Sequence, residues 1–343
     1  MNTFGTNIKV TTWGESHGIA HGVVIDGIPP GISISEEDIQ QELDRRKPGQ
    51  NKLVTPRKED DKVNILSGIF KGKTTGTPIS LIIYNKNQDS ASYEELQQLV
   101  RPGHADFTYH HKYKGQNDFR GGGRSSGRET VSRVAAGAIA RKILLSNGIN
   151  IISYIKQIGK IKAEKFDLET ISKNSIGCPD DSAAKKMIDY IEEIKKDGDS
   201  VGGLIGVKIT GCPIGLGEPV FDKLDAKLAY AIMSIGAVKG VSFGAGFKVA
   251  EMKGSENNDQ IRSNGFQSNN AGGILGGLST GEEITIQVAV KPTPSISKKQ
   301  QTITIARENI DLNIKGRHDP CICLRIRPAI EAMVALTLLD VYC

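Results

Sequence analysis

The sequence is poor in the features that would assign it to a specialised class of protein. Its five cysteines (Cys178, Cys212, Cys321, Cys323 and Cys343) are odd in number, widely spaced and without a C-x-x-C pair. This argues against a disulfide framework or a cysteine zinc site and for reduced thiols. Cys321 and Cys323, two apart, would share one face of a strand and read as packing residues. Aromatic side chains make up 5% of the chain, Trp13 is the single tryptophan, and no RRM, KH or helix-turn-helix pattern occurs, so base stacking on nucleic acid is poorly supported. Nowhere do about 18 apolar residues run uninterrupted, and the first residues lack a basic segment followed by an apolar one. No membrane span, no secretory leader and a cytoplasmic location are therefore expected. Proline/serine-rich linkers, low-complexity tracts and blocks of like charge are also missing. With 343 residues and 38% hydrophobic content the chain reads as one large domain over 1–343. The net charge of +5 is a small excess over many charges of both signs and says little about partners.

What the chain does have is concentrated between Gly121 and Leu145, where three consecutive glycines lead into a helix beginning near Gly127. Ser126 and Glu129 stand at capping-box spacing. Val131, Val134, Ala135, Ala138, Ile139 and Ile143 follow a 3.6-residue period, and Arg141 and Lys142 are placed in the last turn, facing the negative end of the dipole. Arg120, Arg124, Arg128 and Arg133 surround the loop. Backbone amides at a helix start, the positive dipole end and forked guanidinium donors together describe an anion site. The loop lacks the lysine of a nucleotide P-loop, and no dinucleotide G-x-G-x-x-G follows a strand there.

Other stretches supply acid–base groups. A strand over Ile8 to Trp13 delivers the chain into Gly14-Glu15-Ser16-His17-Gly18, and a second strand over Gly22 to Ile28 follows. Ser35 caps a helix from Glu36 to Arg45, whose end is crowded by Arg45, Arg46 and Lys47. Val63 to Phe70 and Pro78 to Tyr84 read as a hairpin, and Tyr93 to Leu99 as a short helix. His104 and Asp106 lie in Arg101-Pro-Gly-His104-Ala-Asp106, read as irregular backbone that runs on through His110 and His111. Those two adjacent histidines point apart and have no further ligand at metal spacing, so no metal is expected. Later come a strand at Ile149 to Ile155, a helix from Asp181 to Lys196, a strand at Leu204 to Thr210 and a helix from Phe221 to Ile235. Strands at Gly236 to Val249 and Ile284 to Val290 follow, the second ending in Lys291-Pro-Thr293-Pro-Ser295. Arg317, His318 and Asp319 precede a helix from Pro328 to Leu339, with proline at its first position. Small-residue helices flanked by strands imply an α+β fold with a central helical layer between antiparallel sheets. The residues alone favour an enzyme acting on a small polyanion, with a non-enzymatic binder of phosphorylated ligand or nucleic acid as the alternative.

The strings G-E-S-H-G, R-P-G-H-A-D, G-G-G-R-S-S-G-R-E-T-x-x-R-V-A-A-G-A, A-V-K-G-V, N-N-A-G-G-I-L-G-G and G-R-H-D-P-C occur in an order that resembles the chorismate synthase family, from Gly14 to Leu339. The resemblance implies a β-α-β sandwich assembled as a homotetramer. It implies a phosphate lyase that converts 5-enolpyruvylshikimate 3-phosphate to chorismate, removing phosphate and a C6 hydrogen, with reduced FMN as cofactor and no net redox change. By that likeness His17 protonates the departing phosphate, His104 protonates the flavin, and Asp319 and Ser16 relay a proton. The flavin would meet Arg124, Ser125, Ser126, Gly236, Ala237, Gly276, Lys291, Pro292, Thr293, Pro294, Ser295 and Arg317. The substrate would meet Arg46, Lys52, Arg128 and Arg133. Lys52 stands where the family commonly has a further arginine and lacks its bidentate fork. Gly236 stands where many members have Asn or Pro, a change that a backbone contact would survive. No nicotinamide fingerprint is visible, so an external flavin reductant is expected in place of intrinsic NADPH oxidation.

Overall fold

The computed structural model describes residues 1–49, 52–54, 59–86, 95–314 and 318–343. Two five-stranded antiparallel sheets enclose helices, as the sequence pattern and the family likeness predict. The first sheet runs in the order Thr3–Phe4, Lys9–Trp13, Ala20–Asp26, Ile79–Tyr84, Val63–Ser67. The second runs Val238–Phe243, Ile284–Val290, Gly203–Thr210, Asn150–Ile158, Ile161–Lys162. In Ile284–Val290 every second side chain is buried, which is what a strand with one face on a core requires.

The helices Glu36–Arg46, Thr130–Ser146, Leu224–Met233 and Cys323–Tyr342 fill the space between the sheets. The Thr130–Ser146 helix packs on the first sheet and the C-terminal helix on the second. They cross at Gly137, where a Cβ would lie 2.3 Å from Ala332 Cβ. Ala135, Ala136, Ala138 and Ala140 are buried around that crossing, so small side chains here serve close helix approach. The Glu36–Arg46 helix carries a complete capping box between Ser35 and Asp38, and the Asp181–Lys196 helix has the predicted bounds.

Several local expectations fail, each for a visible reason. A 3-10 turn, Gly127–Glu129, intervenes before the central helix, so Ser126 caps that turn through Arg128 N. The Glu129 carboxylate turns to Arg133 at 2.9 Å and no capping box forms. Arg141 and Lys142 are not in a last turn, because the helix continues to Ser146; they reach Glu42, Glu331 and Asp38 instead. The predicted strand over Gly236 to Val249 ends at Phe243, since Gly244 and Gly246 adopt positive φ and lead into the 3-10 helix Gly246–Glu251. The final helix starts at Cys323, which puts Pro328 inside it and Cys321 and Cys323 at a buried helix entry rather than on a strand. Asp106–Lys112, read as irregular, is helical. The short helix placed at Tyr93 to Leu99 is a 3-10 turn, Glu95–Gln98, within the described residues.

Candidate active site

The three glycines at the start of the central helix act as a spacer between two histidines. Gly121, Gly122 and Gly123 all have φ in the left-handed region, at 57°, 83° and 51°. A Cβ on Gly121 would fall 2.4 Å from His17 Cδ2 and 2.8 Å from Ser16 Oγ. On Gly122 it would fall 3.1 Å from His104 Cε1 and 3.3 Å from its Nε2. Glycine is therefore required twice over, by backbone angle and by the side chains that lean on it. The loop thereby brings Ser16, His17 and His104, from distant parts of the chain, against adjacent residues.

Each histidine is held from behind. Ser16 and His17 are buried in the turn between Lys9–Trp13 and Ala20–Asp26. Asn85 pins that turn by donating its amide to Glu15 O at 3.2 Å and Gly18 O at 2.7 Å. His104 Nδ1 lies 2.5 Å from Asp106 Oδ1. Arg101 in turn donates Nε and Nη2 to the two Asp106 oxygens at 2.7 and 2.8 Å. Burial alone would raise the Asp106 carboxyl, but hydrogen bonds from Arg101 and His104 outweigh it and hold that group well below the usual carboxylate range. Arg101, Asp106, Phe107, His110, His111 and Phe119 also line a cavity of about 300 Å³ behind this pair.

A second cluster lies beside the His17 turn. Arg46 Nη2 and Arg128 Nη1 share Asp61, at 2.6 and 2.8 Å, and all three side chains are nearly fully buried. Burial favours the neutral Asp61, yet the two guanidiniums keep it far below the carboxylate range. Arg128 Nε also donates to Asn85 Oδ1 at 2.5 Å, which links this cluster to the turn carrying His17. Donors are nevertheless left over. Arg46 Nε and Arg128 Nη2 are buried without a hydrogen-bond acceptor, and so are both ring nitrogens of His21. Burial first, then Arg128 and Arg46, lower the His21 pKa to about 3, so this imidazole is neutral.

The remaining predicted residues divide into those brought in and those left out. Lys291 N bonds to Ala237 O at 2.9 Å, and its ammonium reaches Gly103 O, so Gly236, Ala237 and the Lys291–Ser295 run adjoin the His104 loop. Pro294 would meet a Cβ on Gly103 at 3.4 Å, and Arg101 reaches Ser295 Oγ at 3.5 Å; Pro292 follows Lys291 in the same run. Thr293 Oγ1, within that run, and His318 Nε2 are buried without a hydrogen-bond partner. Ser125 Oγ donates to Gly122 O at 2.7 Å. Arg133 donates to Ser234 Oγ at 2.6 Å and so ties the central helix to the segment entering Gly236. Asp319 accepts from Arg325 at 2.6 Å, and Arg325 also reaches Arg46 O at 3.4 Å.

Three assignments are not supported by position. Arg124 turns away from the glycine loop and donates to Thr12 Oγ1, Thr12 O, Gly14 O and Asn2 Oδ1. Gly276 lies in a separate exposed hairpin whose Gly277 sits on Lys223. Lys52 is exposed, and its carbonyl accepts from Lys195 at 2.7 Å. Arg317 lies outside the described residues. Asp61, Asn85 and His21 carried no signal in the sequence: Glu59-Asp60-Asp61 reads as solvated charge, and His21 is one residue within an apolar strand. Arg101 and Asp106 were visible within R-P-G-H-A-D, but only the fold shows them bonded to His104.

The residues suit a planar anionic cofactor. The left-handed glycines let two histidines pack against adjacent residues, and Lys291, Arg101, Thr293 and His318 are the polar side chains of the neighbouring segments. Among the described residues no group of three or more metal-ligating side chains occurs, and His111 Nδ1 is taken by Phe107 O at 2.8 Å. No helix there is long and apolar enough to cross a membrane.

Comparison with known proteins yields a single answer. The model of the family described as chorismate synthase matches residues 8–343. A curated chorismate synthase of Syntrophobacter fumaroxidans is 56% identical over 99% of this chain and 96% of its own length. One from Methanosarcina mazei is 54% identical over 99% and 95%. A crystal structure of chorismate synthase superposes with a TM-score of 0.76 at 31% identity, covering 98% of this chain and 92% of the other.

Proposed function

The chain belongs to the chorismate synthase family, and from that premise we propose that it converts 5-enolpyruvylshikimate 3-phosphate to chorismate by eliminating phosphate and the C6 hydrogen. The observation that carries this reading is the pairing of His17 and His104 across Gly121 and Gly122, beside an arginine cluster with donors to spare. The substrate is a phosphorylated dicarboxylate, and Arg46 Nε and Arg128 Nη2, the latter 3.8 Å from Glu59, offer it charged donors already desolvated by burial. His17, held against Gly121 by the Asn85-pinned turn, donates a proton to the departing phosphate. Ser16, against the same glycine, and Asp319, held by Arg325, carry the proton taken from C6 back to solvent.

Reduced FMN, when bound, would supply an electron-rich ring that eases phosphate loss and takes up the C6 hydrogen without net oxidation. Lys291, Thr293, Ser295 and Ser125 hold it, with Ala237 and Gly236 contributing backbone, and Ser126 fixes the helix entry. Arg317 completes the set by family likeness. Arg133 orients the segment before Gly236 and reaches the substrate carboxylates. Arg124 braces the first sheet against the loop, a change from the contact role first given to it. Gly276 and Lys52 join the site only if a neighbouring subunit or a loop movement brings them. Ile214, Val220, Phe221, Tyr230 and Phe247 are exposed apolar side chains that an assembly such as a homotetramer would cover. We place the protein in the cytoplasm with an external flavin reductant and no nucleic-acid partner.

The test is anaerobic. Purified protein, 5-enolpyruvylshikimate 3-phosphate and dithionite-reduced FMN should release phosphate and chorismate in equal amounts, and oxidised FMN should give neither. Absence of both products with reduced FMN overturns the reading. NADPH with FMN and no reductase should give no turnover; robust NADPH oxidation would remove the external reductant.

A further inference from the structure

The His104 side chain is not simply exposed to the site; it is the last member of a half-buried chain of hydrogen bonds. Arg101 grips both oxygens of Asp106, and Asp106 Oδ1 lies 2.5 Å from His104 Nδ1. An ionised carboxylate can only accept, so Nδ1 carries the hydrogen. Arg101 Nη2 also stands 3.1 Å from Nδ1, but with that nitrogen protonated its hydrogen goes to Asp106. The lone pair or second proton of His104 is then at Nε2, the nitrogen facing the space over Gly122. The tautomer is thus set by a partner on the side away from the glycine loop.

We propose that Asp106 and Arg101 are positioning residues for His104: Asp106 fixes the tautomer and the ring through Nδ1, and Arg101 fixes Asp106 by bonding to both its oxygens. With the hydrogen held at Nδ1, Nε2 is the nitrogen left to exchange a proton over Gly122. Other charged or titratable groups facing this histidine are few. Lys291 approaches from the strand end at Gly103, His17 lies beyond Gly121, and His318 is close enough to Arg101 to feel its charge. None of them bonds to Nδ1, so the two neighbours named control it. This inference rests on the proposed role of His104 in proton transfer, but its main measurement does not.

The experiment reads the histidine ring nitrogens by NMR, without substrate or cofactor, on protein labelled at its six histidines, with His104 assigned by loss of its signal in His104→Gln. The neutral wild-type ring should carry its hydrogen at Nδ1. Asp106→Asn should mix the two tautomers, and Arg101→Gln, which releases Asp106 from its clamp, should mix them to a smaller extent. Asp106→Glu should restore most of the Nδ1-protonated form, which guards against a fold defect in the Asn variant. A neutral ring that keeps its hydrogen at Nδ1 in both Asp106→Asn and Arg101→Gln overturns the inference. Turnover gives the second readout: kcat of Asp106→Asn should fall about 100-fold. If the wild-type protein is itself inactive, the proposed function fails while the tautomer still decides the positioning.

Discussion

Two charge clusters share the Glu36–Arg46 helix, each centred on a buried carboxylate, and differ in whether their hydrogen bonds are complete. In the first, Glu331 of the C-terminal helix accepts from Arg45 at 2.6 and 3.0 Å, from Arg141 at 3.0 Å, and from Ser153 N and Oγ at 3.0 and 2.6 Å. Arg141 and Arg45 also bond to Glu42. Burial would raise the Glu331 carboxyl, but Arg45, Arg141 and Arg327 bring it down to about 2. No atom of Glu331, Arg45 or Arg141 is buried without a partner among the described residues. In the second, Asp61 receives two arginines, and Arg46 Nε, Arg128 Nη2 and both His21 ring nitrogens are buried without a hydrogen bond, Arg128 Nη2 standing 3.8 Å from Glu59. The same residue types therefore join three elements in one place and keep buried donors without an acceptor in the other. A completed network is a fastener; an incomplete one is a site.

That contrast can be broken experimentally. The largest effect is expected at Glu331→Ala, which removes the buried acceptor that Arg45, Arg141 and Ser153 share: unfolding free energy from urea titration should fall by about 3–5 kcal/mol. Next comes Arg46→Lys, which keeps the charge but loses the fork. Steady-state kinetics should show kcat/KM reduced about 100-fold, or about 2.7 kcal/mol, with much less change in stability than at Glu331. A comparable kinetic loss with full loss of folding would make both clusters fasteners. Inorganic phosphate should sharpen the difference. It should raise the melting temperature of the wild-type protein by up to about 2.7 kcal/mol equivalent at a hundredfold excess over its Kd, and not that of Arg46→Lys. The smallest effect concerns His21. Its folded pKa lies below the unfolded value, so neutral His21 contributes stability above about pH 6.5 that drains away as pH falls toward about 3. The slope is at most about 1.4 kcal/mol per pH unit, and His21→Leu should flatten it in urea titrations across that range. An unchanged slope would mean that another group drives the acid loss.

Much of the fold was legible because it rests on local pattern. The Asp181–Lys196 helix, the Ser35 cap and the alternating Ile284–Val290 strand follow from periodicity and capping chemistry that any neighbour would leave intact. Where the reading failed, a tertiary partner won. Glu129 at capping-box spacing was drawn to Arg133, and Arg141 and Lys142 served Glu331, Glu42 and Asp38 rather than the helix dipole. Arg124 looked like part of an anion loop, yet the first sheet offered it four acceptors.

For this protein the sequence by itself determined the inventory: three glycines before a helix, two histidines in glycine-bounded turns, arginines in excess around them, and the ordered strings of a family. It determined these because backbone permissiveness, helix period and residue chemistry are properties of short segments. The tertiary structure alone decided that Gly121 meets His17 while Gly122 meets His104, that Asp61 binds two arginines without using all their donors, and that Asp106 stands behind His104. Those facts depend on how residues far apart in the chain converge when two sheets close over the same helices, and no local rule fixes which carboxylate a guanidinium will find.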